Sequence, residues 1–349
     1  MSVVSGLILL VGSSLLLWLA LLGLALARKL RRDRRESRSI DRRARYEAVL
    51  AAADVTAITA IFSAAHEPEA QVDLAASIDA LHKTLSPAEF EAIGRGMEAS
   101  SLPQSLSADL RSRRAITRAR AAFLLSRPGT PAAVEQIAPL LSDPDPDVRL
   151  VACSGLARAA TPRAAEFLID GLATGVLPPE RIIERLGAPW AVETILATLK
   201  DGSTAVDASL ARALGLARDP RAAGPLAALL RADSVEFRIS ATRSLGRVGG
   251  PACVPALIEA LSSEVWAVRA QAAKSLGVLG AAEALQPLER CLSDRAWWVR
   301  ANAARALREL GDPGIEALRR AVEHDDPYAA DRAREQLALE AVIEERTAA

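Results

Sequence analysis

Apolar residues are laid along this chain in two ways. Val3 to Ala27 is a run with no charged side chain, VVSGLILLVGSSLLLWLALLGLALA. From about residue 115 the apolar positions instead recur with a long period. Leu125, Leu156, Ile183, Leu214, Leu245, Leu276 and Leu307 are separated by 31, 27, 31, 31, 31 and 31 residues. Six residues after each comes a second series: Pro131, Pro162, Pro189, Pro220, Pro251, Ala282 and Pro313. Seven residues before each comes a third: Arg118, Arg149, Val176, Asp207, Arg238, Arg269 and Arg300. Three series locked in phase describe a tandem repeat and exclude one compact core.

Each unit predicts two short helices. In EFRISATRSLGRVGGPACVPALIEALSS (236–263), Ile239, Ala241, Leu245 and Val248 recur near helical spacing, and Gly249-Gly250-Pro251 then breaks the chain. Proline suits the first position of a second helix, where its missing N–H has no helical partner. Val254, Leu257, Ile258 and Leu261 mark that second helix by three-four spacing. Neither helix buries its stripe alone, so neighbouring pairs must stack into a continuous core. The expected fold is all-α: a solenoid of about seven two-helix repeats over 115–327, preceded by one transmembrane helix.

Residues 46–114 read as helical without the clean period. Tyr46, Val49, Leu50, Ala53, Ala57 and Ile61 trace one helix ending near Pro68, and Leu74, Ile78, Leu81 and Leu85 trace another. Ser86-Pro87-Ala88-Glu89 is a capping box, opening a helix with Phe90, Ile93 and Met97. This region is expected to cap the solenoid, and residues 328–349 to supply a polar-faced terminal helix and tail. The unit between Pro162 and Pro189 is four residues short and contains Leu177-Pro178-Pro179-Glu180. A shortened helix and a local change of curvature are expected there.

Within the expected anchor 1–27, the run Val3–Ala27 is roughly 37 Å long as a helix, enough to cross a hydrocarbon core of about 30 Å. A cleaved signal peptide is the competing reading, through Ala25-Leu26-Ala27. However, no Lys or Arg precedes the run, and it exceeds the usual apolar core of a signal. Residues 28–45 then carry ten Arg or Lys against Asp33, Glu36 and Asp41, although the whole chain has formal net charge zero. Basic flanks stay on the cytoplasmic side, so the N-terminus is expected outside and the solenoid inside, in a single-pass inner-membrane protein. Arg28, Lys29, Arg31, Arg32, Arg34 and Arg35 are the residues expected to meet lipid headgroups. Nucleic acid is not an expected partner, since no aromatics interleave the basic residues.

The segments VRANAARALRELGDPGIEALRRAV (299–322), VRAQAAKSLGVLG (268–280) and DVRLVACSGLARAATPRAAEFL (147–168) resemble HEAT repeats, in the short form found in the phycobilisome-lyase-like branch. The resemblance implies an α-solenoid and a protein-binding role. It also implies an alternative: bilin lyases of this form attach tetrapyrroles to cysteines of phycobiliproteins, which would make this chain a tetrapyrrole-handling protein. Val176 and Asp207 depart from the Arg series.

Little else suggests chemistry. No GxSxG, HExxH, Walker loop or GxGxxG occurs, and Gly94-Arg95-Gly96 lacks the third glycine. No catalytic residue, cofactor, metal ligand or small-molecule substrate is therefore assigned. Asp143, Asp145 and Asp147 alternate as in a calcium loop, but Pro144 and Pro146 intervene, which fits a capped turn better. Glu323-His324-Asp325-Asp326 reads as a solvated loop. Cys153, Cys253 and Cys291 form no CxxC and sit among apolar neighbours, as small core residues do. Arg118, Arg149, Arg238, Arg269 and Arg300 are expected to stack as a structural ladder bonding acids or carbonyls of the adjacent unit. Trp266 and Trp297 share a repeat position and Trp298 adds a third indole; these are the expected partner-binding residues. The functional expectation is a membrane-anchored scaffold that docks a membrane-associated protein. Two alternatives remain beside it: tetrapyrrole handling, and sensing of anionic lipid by residues 28–45.

Overall fold

The computed structural model describes the backbone of residues 3–200 and 204–348, and side chains over 21–22, 24–200 and 204–342. All regular structure among these residues is helical. It forms two compact units, Met1–Thr130 and Pro131–Ala349. Among the described residues no helix is long and apolar enough to cross a membrane; of the expected span Val3–Ala27 the side chains before Leu21 lie outside the described residues.

The first unit holds α1 (Val3–Ala51), α2 (Val55–Ala64), α3 (Pro68–Leu81), α4 (Pro87–Ala99), α5 (Leu102–Asp109) and α6 (Ala115–Leu125). The basic stretch 28–45 is not a separate segment but part of α1, which continues to Ala51. The single helix expected from Tyr46 to near Pro68 is two helices. Ala53 adopts a left-handed φ of 53°, and the Asp54 carboxylate accepts the N–H groups of Thr56 and Ala57 to start α2. An alanine-rich sequence hides such a break, because alanine favours helix on both sides of it. The capping box at Ser86 and Glu89 forms as the sequence predicts.

One carboxylate of α3 gathers three side chains of α1. Asp73, buried on α3, accepts Ser39 Oγ at 2.5 Å, Arg42 Nε at 2.8 Å and Arg43 Nε at 3.1 Å. Burial pushes the Asp73 carboxyl up, but these three bonds outweigh it and hold the group below the ordinary aspartate value. Asp73→Ala strands two guanidinium groups. We expect it to cost about 2–3 kcal/mol and to speed proteolysis within α1. An unchanged urea midpoint would show that the cluster contributes nothing.

The second unit is a two-layer stack. One layer contains the first helices α8 (Pro146–Ala159), α10 (Pro179–Leu186), α12 (Ala205–Ala217), α14 (Val235–Val248), α16 (Trp266–Leu279) and α18 (Trp297–Glu309), followed by α20 (Pro327–Ala348). The other contains α7 (Pro131–Ile137) and the second helices α9 (Pro162–Thr174), α11 (Val192–Thr198), α13 (Ala223–Ala228), α15 (Val254–Ala260), α17 (Leu285–Cys291) and α19 (Asp312–Ala321). The Leu and Ile series that defined the period is fully buried. Pro131 and Pro162 open α7 and α9 directly; Pro189, Pro220, Pro251 and Ala282 open short 3-10 turns that lead into α11, α13, α15 and α17. α10 has 8 residues where α8, α14 and α16 have 14, so the shortened unit loses its length in this first helix.

Neighbouring first helices touch backbone to backbone. A Cβ on Gly215 would stand 2.9 Å from Ser244 Cα, and one on Gly277 would stand 2.7 Å from Ala306 Cα. Gly246 meets Ser275 in the same way. Across these seams Ser275 Oγ donates to Thr242 O at 3.3 Å, and Asn302 Nδ2 donates to Ala270 O at 2.9 Å. Glycine, serine and alanine thus set the close helix spacing, while leucine fills the space between layers.

Candidate functional site

The linkers between units position the site. Four of them use the same pair of residues six apart. In each, a short polar side chain accepts the N–H two residues on: Ser112 from Arg114 at 3.3 Å, Asp143 from Asp145 at 2.9 Å, Ser263 from Val265 at 3.3 Å and Asp294 from Ala296 at 2.8 Å. The carbonyl of that same residue accepts Nη1 of the ladder arginine: Arg118 at 2.8 Å, Arg149 at 2.9 Å, Arg269 at 2.8 Å and Arg300 at 2.7 Å. The ladder therefore clamps its own preceding linker. Arg269 also reaches the next unit, gripping Asp294 with Nε to Oδ2 at 2.7 Å and Nη2 to Oδ1 at 2.8 Å.

Two positions of the series are held differently, Arg238, which keeps the cation, and Asp207, which does not. Arg238 follows Ala232, which has no side-chain acceptor to shape the turn. Asp207 replaces the cation by an acceptor: it closes a capping box with Thr204 and accepts the Lys200 N–H at 3.2 Å. Asp145 caps α8, and Asp143 serves its linker as above, so the aspartate alternation is a capped turn. His324 Nδ1 accepts the Asp326 N–H in the last linker.

Because these clamps fix where each first helix begins, they also fix the residue at its first position. Trp266 and Trp297 occupy that position in α16 and α18. Tyr328, at the start of α20, is one period further on. Trp266, Trp297, Trp298 and Tyr328 stay 49%, 46%, 56% and 64% exposed. The Trp297 and Trp298 rings meet edge to face, 4.6 Å between centroids at 86°. The Arg300 guanidinium stands 4.9 Å over the Tyr328 ring, a cation–π contact that joins the linker clamp to the next unit's aromatic. The three indoles expected at a partner site therefore lie on the surface and do not close the core. Tyr328 was missed because the period was followed through buried leucines, and Ala338 stands where the next leucine would be. Its spacing of 31 from Trp297 was the available signal.

The remaining expected residues fall elsewhere. Arg28, Lys29, Arg31, Arg32, Arg34 and Arg35 are all exposed on α1, and Arg35 Nε is 3.9 Å from Glu69 on α3. Cys153, Cys253 and Cys291 are buried free thiols. Burial pushes Cys153 and Cys291 up to about 11 and raises Cys253 as well. Such thiols stay protonated near neutral pH and are poor nucleophiles. Among the described residues no group of His, Cys, Asp or Glu could hold a metal ion.

A family model of HEAT repeats matches residues 103–185, 192–266, 224–300 and 254–339, well over half of the chain. The chain belongs to the HEAT-repeat family. Among solved structures, human deoxyhypusine hydroxylase in complex with glycerol is similar at 18% identity and TM-score 0.31, over 81% of this chain and 94% of that one. The CpcE–CpcF complex of phycocyanin lyase from Nostoc sp. PCC7120 is similar at 19% identity and TM-score 0.27, over 78% and 94%. A Kap121p mutant matches at 12% identity and TM-score 0.49, over 82% of this chain and 38% of its own. No curated protein matches the chain.

Proposed function

We propose that this HEAT-repeat chain is a membrane-anchored scaffold, binding a membrane-associated protein through the aromatic row of its last repeats. HEAT solenoids are suited to protein interaction because stacked units expose long continuous faces. The observation that carries the reading is the recurrence of Trp266, Trp297 and Tyr328 at one repeat position, about half exposed, where a core role would bury them. Tryptophan and tyrosine dominate binding hot spots because they offer large rigid area with a polar handle.

The anchor is supported by the charge-free run Val3–Ala27 and the basic residues that follow it. Leu21, Leu22, Leu24 and Leu26 are exposed on α1 just before Arg28, apolar surface that a bilayer would cover. In this reading the N-terminus lies outside and the repeats inside, with Arg28 to Arg35 at the headgroups. Anchoring raises the effective concentration of the repeats towards a partner in the same membrane. The chain acts by binding and not by catalysis.

The test is affinity purification from detergent-solubilised membranes, comparing the native chain with Trp266→Ala/Trp297→Ala/Tyr328→Ala. Truncating a hot-spot aromatic costs about 2 kcal/mol, roughly 30-fold in affinity, so the variant should lose the partner while its helical circular dichroism stays native. Equal recovery of the same partner by both proteins would refute the aromatic row as the site.

A further inference from the structure

A second repeat position, two residues before the buried Leu or Ile of each first helix, is basic in five successive units: Arg181, Arg212, Arg243, Lys274 and Arg305. Within the row the chain supplies its own carboxylates on both sides of the centre. Arg212 Nη1 lies 3.5 Å from Glu180 of the neighbouring unit, and Arg305 Nε lies 2.8 Å from Glu309. The two central cations are treated differently. Arg243 and Lys274, together with Arg247, line a groove of 310 Å³ between α14 and α16, completed by Gln271, Ser275 and Val278. All three cations are exposed, and none makes an ion pair or side-chain hydrogen bond among the described residues. At the position of Glu309 these two units carry Arg247 and Val278 instead. The pairing acid has been replaced by a further cation and an apolar residue.

We infer that this groove receives carboxylate side chains from an acidic peptide segment of the protein partner; the inference rests on the protein-binding reading above. Three features favour carboxylates. Two other cations of the same row, Arg212 and Arg305, are already paired with a glutamate of the chain. The groove lies along helix interiors, whose backbone N–H groups are committed to the helical ladder, so donors come from side chains only. Phosphate sites typically draw on free backbone N–H groups, whereas an arginine fork matches a carboxylate in two bonds. Stacked helices sit about 8–10 Å apart, which separates Arg243 from Lys274 by about one helix spacing. A peptide in the polyproline II conformation, with three residues per turn, sets side chains three residues apart on one face at roughly 9 Å, so acids at every third position fit both cations.

The experiment uses the full chain in nanodiscs of neutral lipid and a fluorescent dodecapeptide with glutamate at every third position. The expected result is low-salt binding that the glutamine version of the peptide lacks. Binding should weaken at least tenfold in Arg243→Ala/Lys274→Ala, stay within twofold in Arg319→Ala on α19, and recover largely in Arg243→Lys/Lys274→Arg. No peptide binding, or binding indifferent to the double substitution, overturns the inference. So does competition-proof binding of inorganic phosphate, or of vesicles rich in anionic lipid, that needs the same two cations while the peptide is inert. The scaffold reading fails separately: the aromatic-row variant would then keep its partner although the groove still discriminates the peptides.

Discussion

Removing either partner of the Arg269–Asp294 pair should unfasten the last repeats. The pair joins α16 to the linker before α18 through two charge-assisted bonds, with both side chains largely buried. Asp294 also shapes its own linker through the Ala296 N–H, and its carbonyl holds Arg300. Breaking a buried, hydrogen-bonded ion pair strands the remaining charge, at a cost of about 3–4 kcal/mol. In a stack whose units touch only their neighbours, that loss should appear locally. Amides of α18 to α20 should exchange faster in Arg269→Ala and Asp294→Ala, while α8 and α9 keep their protection. The double variant should cost little more than either single one. Asp294→Asn, which keeps an acceptor oxygen for the linker, should lose about half as much.

The same pair sets an acid limit. Burial pushes the Asp294 carboxyl up, but the Arg269 guanidinium and the Ala296 N–H outweigh it and hold the group below its ordinary value. The unfolded chain therefore takes up this proton more readily than the folded one. The contribution is fully present above about pH 4, the usual aspartate range, and fades as pH falls through the lower folded-state value. Asp73 behaves alike in the first unit. Urea midpoints that fall below pH 4 in the native chain, but less so in Asp294→Asn, would match this account. Identical pH profiles for the two proteins would refute it.

Substituting Gly277 should be as damaging by a different route. A Cβ there meets both Cα and Cβ of Ala306 at 2.7 Å, so a side chain at this seam must push α16 and α18 apart. Overpacking a well-filled contact costs about 1–3 kcal/mol, and Gly277→Val, branched against backbone, should reach the upper end. Gly224 in α13 provides the contrast, because nothing lies within 4 Å of a Cβ built on it. Gly224→Ala should be neutral or stabilise by about 0.5–1 kcal/mol through reduced backbone freedom. Thermal unfolding of the two variants would separate close packing from helix propensity. Equal melting points would contradict the seam as described.

The fold was legible where one residue type does one job at a fixed interval. Leucine buries between the layers, proline opens second helices, and their common period of 31 makes the repeat visible without any relative. The parts that were not legible depend on partners whose positions the period does not carry. The Arg ladder was expected to bind the adjacent unit, yet four of its members clamp their own linkers through a carbonyl, and a carbonyl leaves no mark in a sequence. The break at Ala53 lies inside alanines that favour helix on either side. Of the candidate site, Trp266, Trp297 and Trp298 could be named because tryptophan is rare here. Tyr328 escaped because its unit lacks the buried leucine that set the register. The basic row at Arg243 and Lys274 escaped for a plainer reason: exposed Arg and Lys are common on any helix, and the groove that Arg243 and Lys274 share shows only in the structure.

The central claim is that partner contact runs through the aromatic row. It is tested most directly by placing a photoreactive benzophenone amino acid at residues 266, 297 or 328 and irradiating intact membranes. Matched probes would replace the exposed Glu259, Arg290 and Arg319 of the second-helix layer. The account predicts one common protein adduct from the three aromatic positions and none from the second-helix positions. Adducts confined to the second-helix layer, or spread equally over both, would contradict it.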